Sequence, residues 1–298
     1  MDIFTHAAAI TILLYASGNV ALIPFGILGA VIIDIDMAYS VIARRNTSLF
    51  LFFHGGINHS IVGATILSAV MLGITFLLSS AGLILFLFNG QEILPAFAAI
   101  LSGAYLHLFL DYLAAPGLSV FYPISEKKFG LSLFPMAFYF LFTAISLVML
   151  GFVLLRGLTP ALAVIYSAVF LGIIVLCLGL RWFVSSKFDG KTYSSFTFHP
   201  FRRVVIRENP SSWSVTVFEI FRGVIRKETF EKYRNIAQSE VKRYFNVPEI
   251  KRHRYFSYIS IVEKNDSEIT FFDPVRLGDF ITYPTWYPSV TVLPDDSL

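Results

Sequence analysis

Four apolar runs dominate the first 184 positions of the chain: Ile61 to Phe88, Leu94 to Leu113, Leu133 to Leu155 and Ala161 to Val184. Each reaches the roughly 20 residues that a helix needs to cross a hydrocarbon core, so each predicts a transmembrane helix. An earlier apolar stretch, residues 7–33, is interrupted by Gly18-Asn19, Pro24 and Gly26. It reads either as one tilted span or as a hairpin of short helices turning near Gly18-Asn19, since broken helices are tolerated where protein covers the backbone. From about Thr192 the pattern changes. β-branched and aromatic runs at Thr192 to Phe198, Arg203 to Arg207, Trp213 to Ile220, Gly223 to Lys227, Tyr255 to Glu263 and Glu268 to Asp273 are punctuated by turn residues and predict a strand meander. Between them Phe230 to Phe245 has helical spacing. The expected architecture is an α-helical polytopic membrane domain over residues 1–185, with about five to six membrane segments, followed by a small α+β cytoplasmic domain over 192–298.

Charge sharpens this division. Of 43 charged residues (23 Lys and Arg, 20 Asp and Glu) only twelve fall in residues 1–184. The net charge of +3 is too balanced for a nucleic-acid footprint or a disordered acidic tail. Cytoplasmic loops are enriched in Lys and Arg. One face of the predicted bundle receives Arg44, Arg45, Lys127, Lys128, Lys187 and Lys191, the other only Glu92 and Arg156, which places the C-terminal region in the cytoplasm. The single cysteine, Cys177, permits neither an intrachain disulfide nor a thiolate cluster. No basic segment precedes the first apolar stretch, which argues against a removable signal.

Ionisable side chains are costly in such a setting and suggest function by default. His6, Asp34, Asp36, His54, His59, His107 and Asp111 all fall at the boundary that the cations mark as cytoplasmic. His107 and Asp111 are four apart, on one side of a helix, so that either both ligate one ion or the carboxylate holds the ring. Asp34 and Asp36 would diverge on a helix but point together from an extended exit, and Gly55-Gly56 let a loop fold His54 and His59 inward. Imidazole and carboxylate without thiolate suit Zn, Mn or Fe, and seven groups exceed the needs of one ion, leaving one or two ions open. The bland alternative is an interhelical hydrogen-bond network, with Asp36 as a helix cap and His6 as an interfacial side chain.

The segments Ile33-Asp34-Ile35-Asp36, His54-Gly55-Gly56-Ile57-Asn58-His59-Ser60, His107-Leu108-Phe109-Leu110-Asp111 and Tyr122-Pro123-Ile124-Ser125 together resemble the predicted membrane-bound metal-dependent hydrolase family in order and spacing. The resemblance also touches Thr197-Phe198-His199-Pro200-Phe201 and Tyr287-Pro288-Ser289-Val290. It implies a metal site built from His6, Asp34, Asp36, His54, His59, His107 and Asp111. Gly55 and Asn58 stand where the family usually has Arg and Thr, and Ile33 and Met37 where it has Pro and His. Losing the Arg removes a bidentate partner for phosphate or carboxylate and loosens the substrate class.

The resulting expectation is a membrane-embedded metal-dependent hydrolase of the inner membrane. His54, His59, His107 and Asp111 would be ligands, Asp34 a ligand or bridge, and Asp36 a ligand or general base. Its substrate would be an ester or phosphoester of a lipid or lipid-linked molecule at the cytoplasmic face, with no nucleic-acid partner. An ion-binding transporter and a non-catalytic scaffold are the rivals. In the tail, His199 and His253 read as surface or packed side chains, and Lys251-Arg252-His253-Arg254 as a solvated charge run rather than a lipid-headgroup contact. Reporters fused after Val184 should read cytoplasmic and those near Gln91 external; the reverse pattern would invert the orientation.

Overall fold

The computed structural model describes residues 1–84, 92–114, 117–195, 197–265 and 268–293, with side chains 41–45 set aside. The cationic side chains of Arg44 and Arg45, the run's end at Phe88, Gln91 and Phe196 therefore lie outside the described residues. The chain divides into two compact units: 1–44, 51–131 and 138–175 form the first, and 45–50, 132–137 and 176–298 the second.

Asp2 caps α1 (Ile3–Ala16), its carboxylate accepting from the backbone N–H of Phe4 at 3.1 Å and of Thr5 at 3.0 Å. The helix ends at Gly18, whose φ of +77° turns the chain back on itself. A 3₁₀ turn, Val20–Leu22, leads into α2 (Ile23–Ile32), with Pro24 in the first turn where a missing N–H costs nothing. Residues 7–33 are thus the hairpin. A second 3₁₀ turn, Ile33–Ile35, passes into α3 (Asp36–Arg45), so Asp34 and Asp36 leave α2 on a tightened helical turn and not on the extended exit expected.

Among the described residues, five helical stretches are long and apolar enough to cross a membrane: Val20–Ser40, α4 (Ile61–Ser80), α5 (Ile93–Leu113), α6 (Met136–Arg156) and α7 (Pro160–Ser185). α4 stops at Ser80, short of the predicted Phe88, because Gly82 turns the chain at φ +70°. α6 begins at Met136 and not Leu133, since Pro135 holds its predecessor out of the α region. Ser146 on α6 bonds the Tyr166 hydroxyl on α7 at 2.9 Å and reaches Thr5 on α1 at 3.4 Å, a buried polar tie of the kind that joins helices in lipid.

In the first unit α1, α2 and α5 pack around Ile10, Leu14, Phe25, Ala30, Ala99 and Ile100. α2 and α5 approach so closely that a Cβ at Gly29 would fall inside the carbonyl of Ile100, and one at Gly103 inside the carbonyl of Gly26. In lipid no hydrophobic force pulls helices together, so contact must come from small residues that let backbones touch.

The second unit carries two four-stranded sheets. β1 (Lys191–Ser194), β2 (Arg202–Glu208), β3 (Ser212–Glu219) and β4 (Gly223–Glu231) form an antiparallel meander in chain order. β5 (Tyr233–Arg234), β6 (Ile261–Asn265), β7 (Glu268–Phe272) and β8 (Ser289–Val292) form a mixed sheet in which β5 runs parallel to β6. Val204, Ile206, Val215, Val217, Phe280 and Ile281 make one core; Val241, Tyr244, Ile250, Val262, Ile269 and Phe271 make another.

The helix expected over Phe230–Phe245 is confined to α8 (Gln238–Val241) and a 3₁₀ turn at Lys242–Asn246, because Phe230 and Tyr233 pair into sheets. The strand expected from Tyr255 begins only at Ile261. The charge run before it lies on α9 (Pro248–Phe256), opened by Pro248 in its first turn. His253 faces inward there, its Nδ1–H donating to the Tyr287 carbonyl at 3.0 Å, and burial pushes its pKa down to about 4, so the ring is neutral. His199 is exposed. A short α10 (Pro274–Leu277) and strand β8 carry no signal the sequence pattern reveals.

Replacing Gly103 with Val should separate α2 from α5 and cost about 1–3 kcal/mol of overpacking or more. Thermal unfolding in detergent should show a clear drop, while Gly172→Ala, where nothing lies within 4 Å of the added methyl, should leave the melting point unchanged.

Candidate metal centre

All seven ionisable residues singled out in the membrane half converge in the first unit. α1 supplies His6, the 3₁₀ turn after α2 supplies Asp34, and the first residue of α3 is Asp36. His54 and His59 flank a sharp loop, and α5 supplies His107 and Asp111 one turn apart. That loop depends on its glycines: Gly55 adopts φ +83°, and a Cβ on Gly56 would fall inside the carbonyl of Leu51. Ser60 then caps α4, its hydroxyl accepting from the Gly63 N–H at 2.9 Å. Asn58 ties the loop to the end of α2 by donating to the Ile33 carbonyl at 3.2 Å.

Asp34 Oδ1 is the hub. It lies 3.5 Å from His54 Nδ1, 3.5 Å from His59 Nε2 and 3.5 Å from His107 Nε2. Asp111 Oδ2 lies 3.4 Å from His59 Nε2 and 3.4 Å from His107 Nε2, which are themselves 3.3 Å apart. Asp34, His59, His107 and Asp111 thus each offer a ligand atom within 4.8 Å of the others, and Asp36, His54 and His59 form a second such group. The groups share His59 through opposite ring nitrogens: Nε2 faces the first, and Nδ1 lies 3.0 Å from Asp36 Oδ2. His54 Nδ1 completes the second group at 3.2 Å from Asp36 Oδ1. His6 stacks on His107, centroids 3.7 Å apart, with Nε2 3.3 Å from Asp111 Oδ1, a carboxylate oxygen also touched by the Met1 amino group.

These donors meet without satisfying one another. Both ring nitrogens of His6, Asp34 Oδ1, Asp36 Oδ2 and His59 Nδ1 are shut off from solvent and lack hydrogen-bond geometry to any partner. The 3.0 Å approach of His59 Nδ1 to Asp36 Oδ2 is close enough for an ion pair but not aligned as a hydrogen bond. A buried polar atom left unpaired costs about 1–3 kcal/mol, more when charged. Three carboxylates buried within one cluster need positive charge among them. The field is visible at His59, just outside the spanning helices: burial alone would lower its pKa, yet Asp111, Asp34 and Asp36 hold it well above the ordinary imidazole value. A divalent cation could supply that charge in place of the proton, and a nitrogen and oxygen donor set without sulfur fits Zn, Mn or Fe.

The surroundings prepare the rings for such an ion. His107 Nδ1–H donates to the Ala30 carbonyl at 2.6 Å, which fixes the tautomer and leaves the Nε2 lone pair facing Asp34 and Asp111. That bond spans α5 to α2 and exists only because Gly29 and Gly103 let the helices touch. His59, His107, His6, Asp36 and Asp111 are buried, whereas His54 keeps 26% of its side chain exposed and marks the open side. Sequence spacing does not reveal the Ala30 carbonyl or the Asn58 tie, since a backbone acceptor leaves no residue signature. Asn58, a departure from the family pattern, is what satisfies the Ile33 carbonyl.

The sequence profile of the YdjM inner membrane protein family matches residues 1–185, the part of the chain that holds every group described above. No curated protein and no solved structure matches the chain. With the match covering well over half of its length, the chain belongs to the YdjM inner membrane protein family, a multi-pass membrane protein carrying a His/Asp cluster that could hold a metal ion.

Proposed function

We propose that this chain is a metal-dependent hydrolase of the inner membrane, acting at the cytoplasmic face on an ester or phosphoester of a lipid or lipid-linked substrate. The observation that carries the reading is Asp34 Oδ1, an acceptor shut off from solvent with no hydrogen-bond partner, set 3.5 Å from nitrogens of His54, His59 and His107. Asp34, His59, His107 and Asp111 would hold the ion; Asp36 and His54 would complete a second position sharing His59. A divalent ion held there would act as a Lewis acid and bring the pKa of water toward neutrality.

The chain's own residues do the rest. Asp36 holds the Nδ1 side of His59, and the Ala30 carbonyl holds His107. His54, the exposed member of the set, would hold the solvent side of the second position. His6 packs flat on His107 and backs Asp111 from the far side. The cytoplasmic assignment rests on the Lys and Arg bias of the loops, and the lipid substrate on the site's place near helix ends where headgroups lie. A transport site would be expected nearer the midplane.

Elemental mass spectrometry of detergent-purified protein should find near-stoichiometric Zn, Mn or Fe, with metal lost in His59→Ala and His107→Ala. Asp36→Asn should keep the fold, empty the position Asp36 shares with His54 and His59, and weaken the first position about 10–100-fold, as loss of a carboxylate behind the His59 imidazole does elsewhere. No metal in the wild type, even after reconstitution, would sink the reading. Metal-loaded protein in vesicles that moves the ion across the bilayer and cleaves no lipid ester or phosphoester would replace it with transport.

A further inference from the structure

The second unit contains a cavity of about 250 Å³ walled by β3, β5, the 3₁₀ turn after α8, α9 and the chain leading into β6. It owes nothing to the metal centre. Its sides are aromatic: Trp213, Tyr233, Phe245 and Tyr258 contribute rings, above a buried floor that includes Phe271. Such walls favour a flat, apolar guest that stacks or meets their edges. The volume lies slightly under the range for drug-sized ligands, which limits the guest to one or two rings and is too small for a long acyl chain.

Of the residues that line the cavity, Arg254 is the charged one, while Lys232 Nζ lies 4.9 Å over the Trp213 ring and pairs with Glu208. Arg254 is the exposed member of the lining and so stands at the mouth. Its guanidinium stacks on Phe245, 3.9 Å from the ring centroid. Among the described residues Arg254 pairs with no carboxylate, and no acidic side chain lines the cavity. A guanidinium fixed flat on a ring keeps its donor edge free, in the geometry that takes a carboxylate by two parallel hydrogen bonds.

The polar wall is fixed in advance. His253, anchored by Nδ1 to the Tyr287 carbonyl, has its Nε2 3.2 Å from Ser257 Oγ and 3.4 Å from Ser260 Oγ, and both serines line the cavity. Arg276 donates to Ser257 Oγ at 3.1 Å from the other side. Trp213 contributes its ring to the wall facing these hydroxyls. A cavity left by imperfect packing would be expected to be apolar and sealed. This one has a preset hydroxyl wall and, at its opening, a cation that pairs with no carboxylate among the described residues.

We infer that the C-terminal unit binds a small aromatic monocarboxylate, its ring between Trp213, Tyr233 and Tyr258 and its carboxylate on Arg254. The test is calorimetric titration of the full-length protein in nanodiscs with benzoate and 2-naphthoate, against benzyl alcohol and 2-naphthylmethanol as neutral counterparts. One acid should bind per chain, at least tenfold tighter than its alcohol. Arg254→Met, at an exposed side chain, should erase that preference, and Ser260→Leu, which fills the cavity, should abolish binding with the melting point of the protein retained. No heat from either acid overturns the proposal. So does binding that survives both substitutions, which is partition into the bilayer, and so does equal binding of acid and alcohol, which leaves a cavity without anion recognition.

Discussion

The contact on which the rest depends is the touch of α2 against α5. Gly29 against the Ile100 carbonyl and Gly103 against the Gly26 carbonyl leave no room for a side chain between the two backbones, and Ala30 and Ala104 continue the small surface toward the site. Because lipid offers no hydrophobic gain for helix association, this approach has to be held by packing and by bonds between the helices. The His107 to Ala30 hydrogen bond is one of them, so the device that joins the helices also orients a ring of the centre. A bulky residue at Gly103 would move the imidazole as surely as it would part the helices.

The second constraint is electrostatic. Asp36 and Asp111 are buried beside the nearly buried Asp34, and hydrogen bonds among the described residues leave Asp34 Oδ1 and Asp36 Oδ2 unsatisfied. Proteins keep such arrangements when a cation completes them, since isolated buried charge is prohibitively costly. His59 stands between the two carboxylate groups with a different nitrogen toward each, which makes it the member whose loss disturbs both. The same physics explains the burial gradient: five of the groups are sealed, while His54 remains in reach of solvent.

The membrane half was legible in the sequence because its signals are dense. Long apolar runs mark helices whatever their packing, and ionisable side chains are so rare there that each one stands out. What stayed hidden is geometric. The choice of hairpin over tilted span turns on Gly18 at positive φ, which the interruption pattern allows without requiring. Asp34 and Asp36 converge through a 3₁₀ turn that no spacing rule announces. In the tail, Phe230 and Tyr233 fit a helical face as well as a strand, and cross-strand pairing with Trp213 and Val262 decided for the strand. The basic run at Lys251–Arg254 looked solvated because three of its four residues are charged, yet the fourth, His253, is the buried anchor of α9.

The central claim is that a cation ties Asp34, His59, His107 and Asp111 together. X-ray absorption spectroscopy of the metal-loaded protein tests it most directly, because the scattering around the ion reports imidazole, oxygen and sulfur separately. The expected result is a shell of nitrogen and oxygen only, with scattering from at least two imidazoles that falls when His107 is replaced by Ala. An ion surrounded by water alone, or by ligands unchanged in that variant, would contradict it.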